Sequence, residues 1–109
     1  MKSGLPATAV QKIRAVLSRY PQVEAATLYG SRAKGSHKTG SDIDLTLHGG
    51  TDLTLPVVYR ILDDLDDLLL PYTIDLSIFH DIANPDVVAH IRRVGIPFYH
   101  KTTTTAEPT

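Results

Sequence analysis

The sequence predicts a small α/β (α+β) domain in which a mixed β-sheet carries its helices on one face. Residues 42–48 and 72–79 alternate apolar and polar side chains, as half-buried strands do. A further short strand is predicted at 23–29, and apolar residues recur at helical spacing between the strands. The 109 residues are 42% hydrophobic and 21% charged, which is the size and composition of one globular domain.

Prolines and apolar periodicity set the limits of the predicted helices. Thr8–Arg19 forms an amphipathic helix that Pro21 stops, and Ser31–Lys34 forms one helical turn. Pro56 opens a second long helix, which we expect to run until Pro71. Its apolar stripe consists of Val58, Ile61, Leu62, Leu65, Leu68 and Leu69. The opposite face, which carries Asp63, Asp64, Asp66 and Asp67, is predicted to be a solvated surface.

The last third of the chain predicts one more helix and one more strand. Asn84 caps a helix that begins at Pro85 and closes at Gly95. Residues 96–99 follow as a short edge strand, because Pro97 has no backbone N–H to give to a sheet interior. We expect residues 1–100 to form a single domain and residues 101–109, with their run of four threonines, to form a disordered tail.

The connections between the strands bring polar residues together. The short Gly30–Ser41 connection predicts antiparallel pairing of the first two strands, which places Gly30 beside Asp42 and Asp44. The longer helical crossover lets the third strand lie beside the second and brings Asp75 alongside. Residues two apart share one face of a strand, so Asp42 and Asp44 can converge on one cation. We expect this acidic face to stay open as a shelf.

Charge and composition exclude several functional classes. The 11 basic and 12 acidic residues give a formal charge of −1, without the basic excess typical of proteins that grip long nucleic acids. Locally, Arg32, Lys34, His37 and Lys38 precede the acids, which suits a small polyanion. The chain has no cysteine for a disulfide or a thiolate metal site. It shows neither a signal segment nor a run long enough to cross a membrane, so a cytoplasmic location is expected.

Three carboxylates beside a glycine turn are the groups needed to hold a metal-bound nucleoside triphosphate. Mg²⁺ prefers carboxylates, waters and substrate phosphates as its ligands. Three carboxylates can hold two such ions about 3.5–4 Å apart. Gly30 lets the backbone approach the phosphates without a Cβ clash. The amides of Ser31 and Arg32, at the start of a helical turn, would then meet the phosphates.

The runs Gly30-Ser31-Arg32-Ala33-Lys34-Gly35 and Ser41-Asp42-Ile43-Asp44-Leu45, followed by Asp75, resemble the nucleotidyltransferase superfamily with the DNA-polymerase-β-like fold. The small size is similar to its minimal branch, the antitoxin-type nucleotidyltransferases (MNT) paired with HEPN-type ribonuclease toxins. The resemblance implies that Asp42 and Asp44 are paired metal ligands and that Asp75 is the third carboxylate. It also implies that Gly30 and Ser31 bind the triphosphate. Arg32, Lys34 and Ser41 complete the candidate nucleotide-binding set.

The function implied by the resemblance is Mg²⁺-dependent transfer of AMP from ATP to a hydroxyl of a partner. In the minimal branch the partner is a HEPN toxin, and the modified group is a tyrosine. Two alternatives stay open. The domain could be a non-catalytic antitoxin that neutralises its partner by contact alone. It could also be the catalytic subunit of a small-molecule nucleotidyltransferase whose acceptor domain is a separate chain.

Overall fold

The computed structural model describes residues 4–34 and 42–101, with Ser31 and Lys34 described by their backbone alone. Predictions that concern residues 35–41, among them Ser41, lie outside this part of the chain, as do those for residues 102–109. The described elements are α1 (Ala7–Ser18), β1 (Ala25–Tyr29), α2 (Ser31–Lys34), β2 (Ile43–His48), α3 (Leu55–Asp66), β3 (Ile74–Ile78), a 3₁₀ turn (Phe79–Asp81), α4 (Pro85–Val94) and β4 (Ile96–His100).

The strands form a four-stranded mixed sheet in the order β3-β2-β1-β4. β1 pairs antiparallel with both β2 and β4, whereas β2 pairs parallel with β3 across the helical crossover. The fold class and the pairing of the first three strands along the chain are therefore confirmed. β4 lies at the edge, as Pro97 predicted, and its register with β1 shifts between Ala26 and Thr27.

The alternation of apolar and polar residues along β2 determines where the core lies. Ile43, Leu45 and Leu47 are all completely buried on one face of β2. The two long helices α1 and α3 pack their apolar stripes against this face, because burial of each such side chain stabilises the fold by about 1.5–3 kcal/mol. The buried residues of these helices include Ile13, Val16, Leu17, Val58, Ile61 and Leu65. As predicted, the main helical cover lies on the apolar side of the sheet.

The C-terminal end of α3 differs from the prediction. The helix ends at Asp66 and does not continue to Pro71. The amides of Leu68 and Leu69 donate to carbonyl oxygens three residues back, which tightens and terminates the last turn. Leu69 then adopts a φ of +54° and is 87% exposed. Its assignment to the buried stripe was wrong, because the chain reverses direction at this residue.

The final helix, α4, begins where the sequence predicts, and it also lies beside the polar face of the sheet. Asn84 Oδ1 accepts a hydrogen bond of 2.9 Å from the Asp86 amide, and Pro85 is the first helical residue. The helix lies near the far end of the polar face, where Arg92 stacks 5.8 Å from the ring centroid of Phe79. Helix α4 therefore borders one end of this face, away from the three carboxylates.

None of the helices in the described ranges combines the length and apolar character needed to cross a bilayer.

The tail was expected to begin at residue 101, but Lys101 is still attached to the sheet. Its amide donates to the Glu24 carbonyl at 2.8 Å, and its Nζ donates to the Pro21 carbonyl at 3.1 Å.

A polar contact joins the two core helices at the surface. The Tyr20 hydroxyl, which follows α1, donates a 2.5 Å hydrogen bond to Asp64 Oδ2 on α3. This bond, together with burial and the charge of Asp64, raises the pKa of the Tyr20 phenol. Asp64 is half-buried, while the other three aspartates predicted for a solvated surface are indeed exposed.

We predict that Tyr20→Phe lowers the free energy of unfolding by about 1 kcal/mol, because it removes one hydrogen bond to a carboxylate and leaves the ring in place. Chemical denaturation at neutral pH measures the loss. The matched control is Tyr59→Phe, since Tyr59 is 60% exposed on α3. An equal loss in both variants, or none in Tyr20→Phe, would contradict the assigned role of this contact.

Candidate active site

The central strands place two of the candidate carboxylates side by side. Asp44 on β2 is the register partner of Tyr29 on β1 and of Asp75 on β3. Asp42 directly precedes β2 and belongs to the same alternating face. Asp42 and Asp75 are exposed, whereas Asp44 is half-buried. The face thus presents three carboxylates at the end of the sheet where β2 begins.

Gly30 brings the turn after β1 directly against Asp44. Its φ of +78° is a left-handed conformation that side chains disfavour. A Cβ added at this position would overlap the Oδ2 atom of Asp44. The close approach therefore requires glycine for two independent reasons, and it produces the contact between Gly30 and Asp44 that the antiparallel pairing predicts.

Burial and like charges raise the pKa of Asp44. Burial is the larger cause, and the charges of Asp75 and Asp42 add to it. Burial also raises the pKa of Tyr29, and the charges of Asp44 and Asp75 add to this effect. Groups this close repel one another when ionised, so a cation that binds between them would relieve unfavourable energy.

The donor set fits Mg²⁺ in chemistry. All three side chains are carboxylates, and Gly30, which has no Cβ, lets the Asp44 carboxylate lie directly against the turn. Within residues 4–34 and 42–101, no group of three or more His, Asp or Glu side chains is already drawn together closely enough to hold an ion. The three carboxylates thus lie apart from one another on one face. An ion bound to phosphate would have to bridge them.

Arg32 occupies a different position from the one its charge suggests. Its side chain is 2% exposed, and its guanidinium lies 5.0 Å from the ring centroid of Tyr72. Stacking of this kind joins α2 to the segment that leads into β3. This placement favours a structural role for the side chain.

The other candidate nucleotide-binding residues keep the status of predictions. The structure describes Ser31 and Lys34 by their backbone, in the single helical turn that the sequence predicts. Ser41 lies outside the described residues. Their assigned roles depend on the resemblance and on charge.

The far end of the same face holds a half-buried histidine. His48 Nε2 lies 2.8 Å from Thr27 Oγ1, and its ring centroid lies 4.9 Å from that of Phe79. Burial lowers the pKa of this histidine, since a charged imidazolium would lose its hydration. The ring thus forms part of the packing between the sheet and the 3₁₀ turn.

Tyr29 is the site residue that the sequence analysis missed. A signal was present: Leu28 points into the core, so its neighbour must point to the polar face. The sequence analysis predicted the strand that ends at this tyrosine, directly before Gly30, but assigned the tyrosine no role.

The family model for polymerase beta nucleotidyltransferases matches residues 11–104. The chain belongs to this family. The match spans both the Gly30 turn and the three carboxylates, so the face described above coincides with the part of the chain that the family model covers. Among curated protein sequences, none matches this nucleotidyltransferase domain.

Solved structures share the fold. A toxin–antitoxin structure with AMP-PNP is 21% identical, with 88% of this chain and 76% of that chain covered and a TM-score of 0.68. A minimal nucleotidyltransferase is 28% identical, with 83% and 92% covered and a TM-score of 0.65. The complex of an MNT antitoxin with the tri-AMPylated HEPN toxin of Shewanella oneidensis is 18% identical, with 86% and 71% covered and a TM-score of 0.64.

We predict that Gly30→Ala destabilises the fold by about 2 kcal/mol, from left-handed backbone strain and displacement of the Asp44 carboxylate. Chemical denaturation measures the effect. The control is Gly50→Ala, because a Cβ there would meet nothing nearer than Asp52 Oδ1 at 3.6 Å. Equal stability of the two variants would show that Gly30 is not held against Asp44.

Proposed function

We propose that this protein is a Mg²⁺-dependent nucleotidyltransferase that transfers AMP from ATP to a tyrosine hydroxyl of a HEPN-type toxin, and thereby acts as its antitoxin. One observation carries the proposal. Asp44 and Asp75 oppose each other in register on neighbouring strands, and Gly30 packs against Asp44. In a chain of the nucleotidyltransferase family, this arrangement supports binding of a triphosphate and an ion side by side.

The structural relatives support the choice of nucleotide and partner. One of them is a toxin–antitoxin structure with AMP-PNP, an analogue of ATP. Another contains a HEPN toxin that carries AMP groups, in complex with its MNT antitoxin. We transfer these two properties to the present chain as part of the proposal, because it shares their fold and has the residues that such a reaction needs.

Each candidate residue has a defined task in the proposed reaction. Asp42, Asp44 and Asp75 would hold Mg²⁺, which supplies charge neutralisation at the phosphates. Gly30 admits the phosphate chain close to the backbone. The acceptor oxygen forms a bond to the α-phosphorus, and the bond from that phosphorus to the pyrophosphate oxygen breaks. The exposed Asp75 carboxylate accepts the proton that the hydroxyl loses.

A protein acceptor fits the charge of this chain better than a long nucleic acid. The formal charge of −1 gives little of the general attraction that phosphate backbones exert on basic proteins. A folded partner brings a docking surface of its own and holds its hydroxyl near the carboxylates. Docking of this kind holds the two reacting groups together, so that the transfer becomes effectively unimolecular.

We predict that ATP binds at least tenfold more weakly without a divalent ion, because three ionised carboxylates repel a triphosphate unless a cation lies between them. Isothermal titration calorimetry with Mg²⁺, and again with EDTA, measures both affinities. Equal affinity under the two conditions would exclude a metal-dependent site.

We further predict that the double substitution Asp42→Ala and Asp44→Ala abolishes AMP transfer while the domain stays folded. The side chains contribute charge to the open face and no apolar packing, and their removal relieves like-charge repulsion. A thermal melt and an assay with labelled ATP decide the outcome. Asp63→Ala with Asp66→Ala, on the exposed side of α3, is the matched control for loss of two charges. Activity that survives in the folded site variant would contradict the assignment.

The test of the whole proposal is the intact mass of a HEPN-type toxin co-expressed with this protein. We expect a gain of one or more AMP units with the wild type and none with Asp75→Ala, which removes the carboxylate proposed to accept the proton. Toxin activity is measured in the same samples. An unmodified toxin that the Asp75→Ala protein still holds inactive would instead identify an antitoxin that acts by contact alone.

A further inference from the structure

Arg32 is a charged residue buried within a single helical turn. The turn, α2, comprises Ser31–Lys34, and the side chain of Arg32 is 2% exposed. Removing a guanidinium from water costs free energy, and a helix of one turn gains little stability from its own hydrogen bonds. On the surface the same side chain would stay hydrated without that cost. Its burial therefore indicates that Arg32 attaches α2 to another part of the fold.

The guanidinium of Arg32 contacts the ring of Tyr72, in the segment that leads into β3. Its Cζ atom lies 5.0 Å from the ring centroid. An arginine within about 6 Å of an aromatic face is attracted to it. Tyr72 is half-buried and packs against the hydrophobic core, and it precedes Asp75 by three residues. The stack thus links the turn after β1 to the start of the strand that carries Asp75.

The same segment is bonded to the start of β2. The carbonyl of Thr73, next to the stacked tyrosine, accepts a 2.8 Å hydrogen bond from the amide of Ile43. Ile43 is completely buried and lies between Asp42 and Asp44. From this point β2 and β3 run in parallel register, which places Asp44 opposite Asp75. The stacked ring is therefore attached to backbone whose position both strands determine.

The stack completes a ring of contacts around the candidate site. On one side, Gly30 lies against the Asp44 carboxylate. On the other side, Arg32 lies against Tyr72. Arg32 follows Gly30 by two residues, so both contacts hold the same short turn against the starts of β2 and β3. Loss of the stack would leave the glycine contact in place and weaken the attachment of α2 on its other side.

We infer that Arg32 is a positioning residue that acts through Tyr72. The stack holds α2 against the strands that carry the candidate carboxylates, and it thereby raises the affinity of the site for ATP with Mg²⁺. The inference rests on the proposed function and deepens it. It gives Arg32 a role different from the direct contact with phosphate that its charge suggests. In this role neither side chain of the stack touches nucleotide or ion.

Two substitutions separate positioning from a direct effect of charge. Tyr72→Leu removes the aromatic face and leaves the charge of Arg32 in the protein. Arg32→Lys keeps the charge but replaces the planar guanidinium with a compact, strongly hydrated ammonium. If Arg32 acted on phosphate through its charge, Tyr72→Leu would leave ATP affinity unchanged. If Arg32 acts through the stack, each substitution weakens ATP binding, and the double variant binds no more weakly than the weaker single variant.

The stack of Arg92 on Phe79, at the far end of the same face, supplies the matched control. Its distance is 5.8 Å, and Phe79 is half-buried as Tyr72 is. Arg92 is exposed, so Phe79→Leu is the closer match and Arg92→Lys the second control. Calorimetry with Mg²⁺ and ATP measures affinity, and a thermal melt reports folding. NMR relaxation gives the backbone order parameters of α2 in the free protein.

We expect Tyr72→Leu to remain folded, to lower the order parameters of α2, and to bind ATP with Mg²⁺ about tenfold more weakly, as for residues that orient metal-binding groups. Arg32→Lys should give the same changes. Tyr72→Phe, which keeps the ring, should retain the affinity of the wild type, and both control variants should leave α2 and ATP affinity unchanged. If Tyr72→Leu does not fold, Tyr72→Met also removes the aromatic face, fills the space with a flexible side chain, and is expected to give the same result.

Three results would overturn the inference. They are unchanged ATP affinity in the folded Tyr72→Leu or Tyr72→Met protein, unchanged order parameters of α2 in that protein, and an equal loss of affinity in Phe79→Leu. The order parameters are measured without ligand, so they decide whether the stack positions α2 even if the wild type binds no ATP. Absence of ATP binding by the wild type would count against the proposed function alone.

Discussion

The pairing register between β1 and β2 is the constraint on which the candidate site depends. Tyr29 opposes Asp44, so the turn that begins at Gly30 must start beside that carboxylate. The same register places Leu28 opposite Leu45 in the core. A slip of one residue would move Asp44 into the apolar layer and expose leucines to solvent. The energy of the hydrophobic core thus determines the position of the polar groups.

Repulsion between like charges limits how closely the carboxylates of this site can lie to one another before a cation binds. Asp44 is half-buried beside Asp75, and both its burial and its neighbours disfavour the ionised form. The fold stabilises this arrangement through packing elsewhere, mainly between α1, α3 and the opposite face of the sheet. A site with a destabilised empty state gains more when a cation binds, which couples binding of the ion to binding of the triphosphate.

Much of the fold and part of the site could be predicted from the sequence, for physical reasons that differ by element. The alternation of Ile43, Leu45 and Leu47 with Asp42 and Asp44 has a period of two, which belongs to a strand alone. The short link after β1 permits antiparallel pairing, and Asn84 with Pro85 marks a helix start. Side chains that stack across elements leave no such periodic signal. The placement of Arg32 against Tyr72 and the end of α3 before Leu69 depend on tertiary contacts, and sequence spacing does not encode them.

Asp75 also affects the solubility of the sheet. Within the described sheet β3 is an outer strand, and the backbone groups along such an edge are a template on which strands of other molecules could assemble. The opposite edge, β4, is protected by Pro97 and by its irregular register. On β3, the exposed charge of Asp75 serves that purpose, because strands stacked in register would bring identical carboxylates together. Neutralising this residue therefore removes a barrier to aggregation as well as a candidate ligand, and preparations that lack it call for a check of their monomeric state by light scattering.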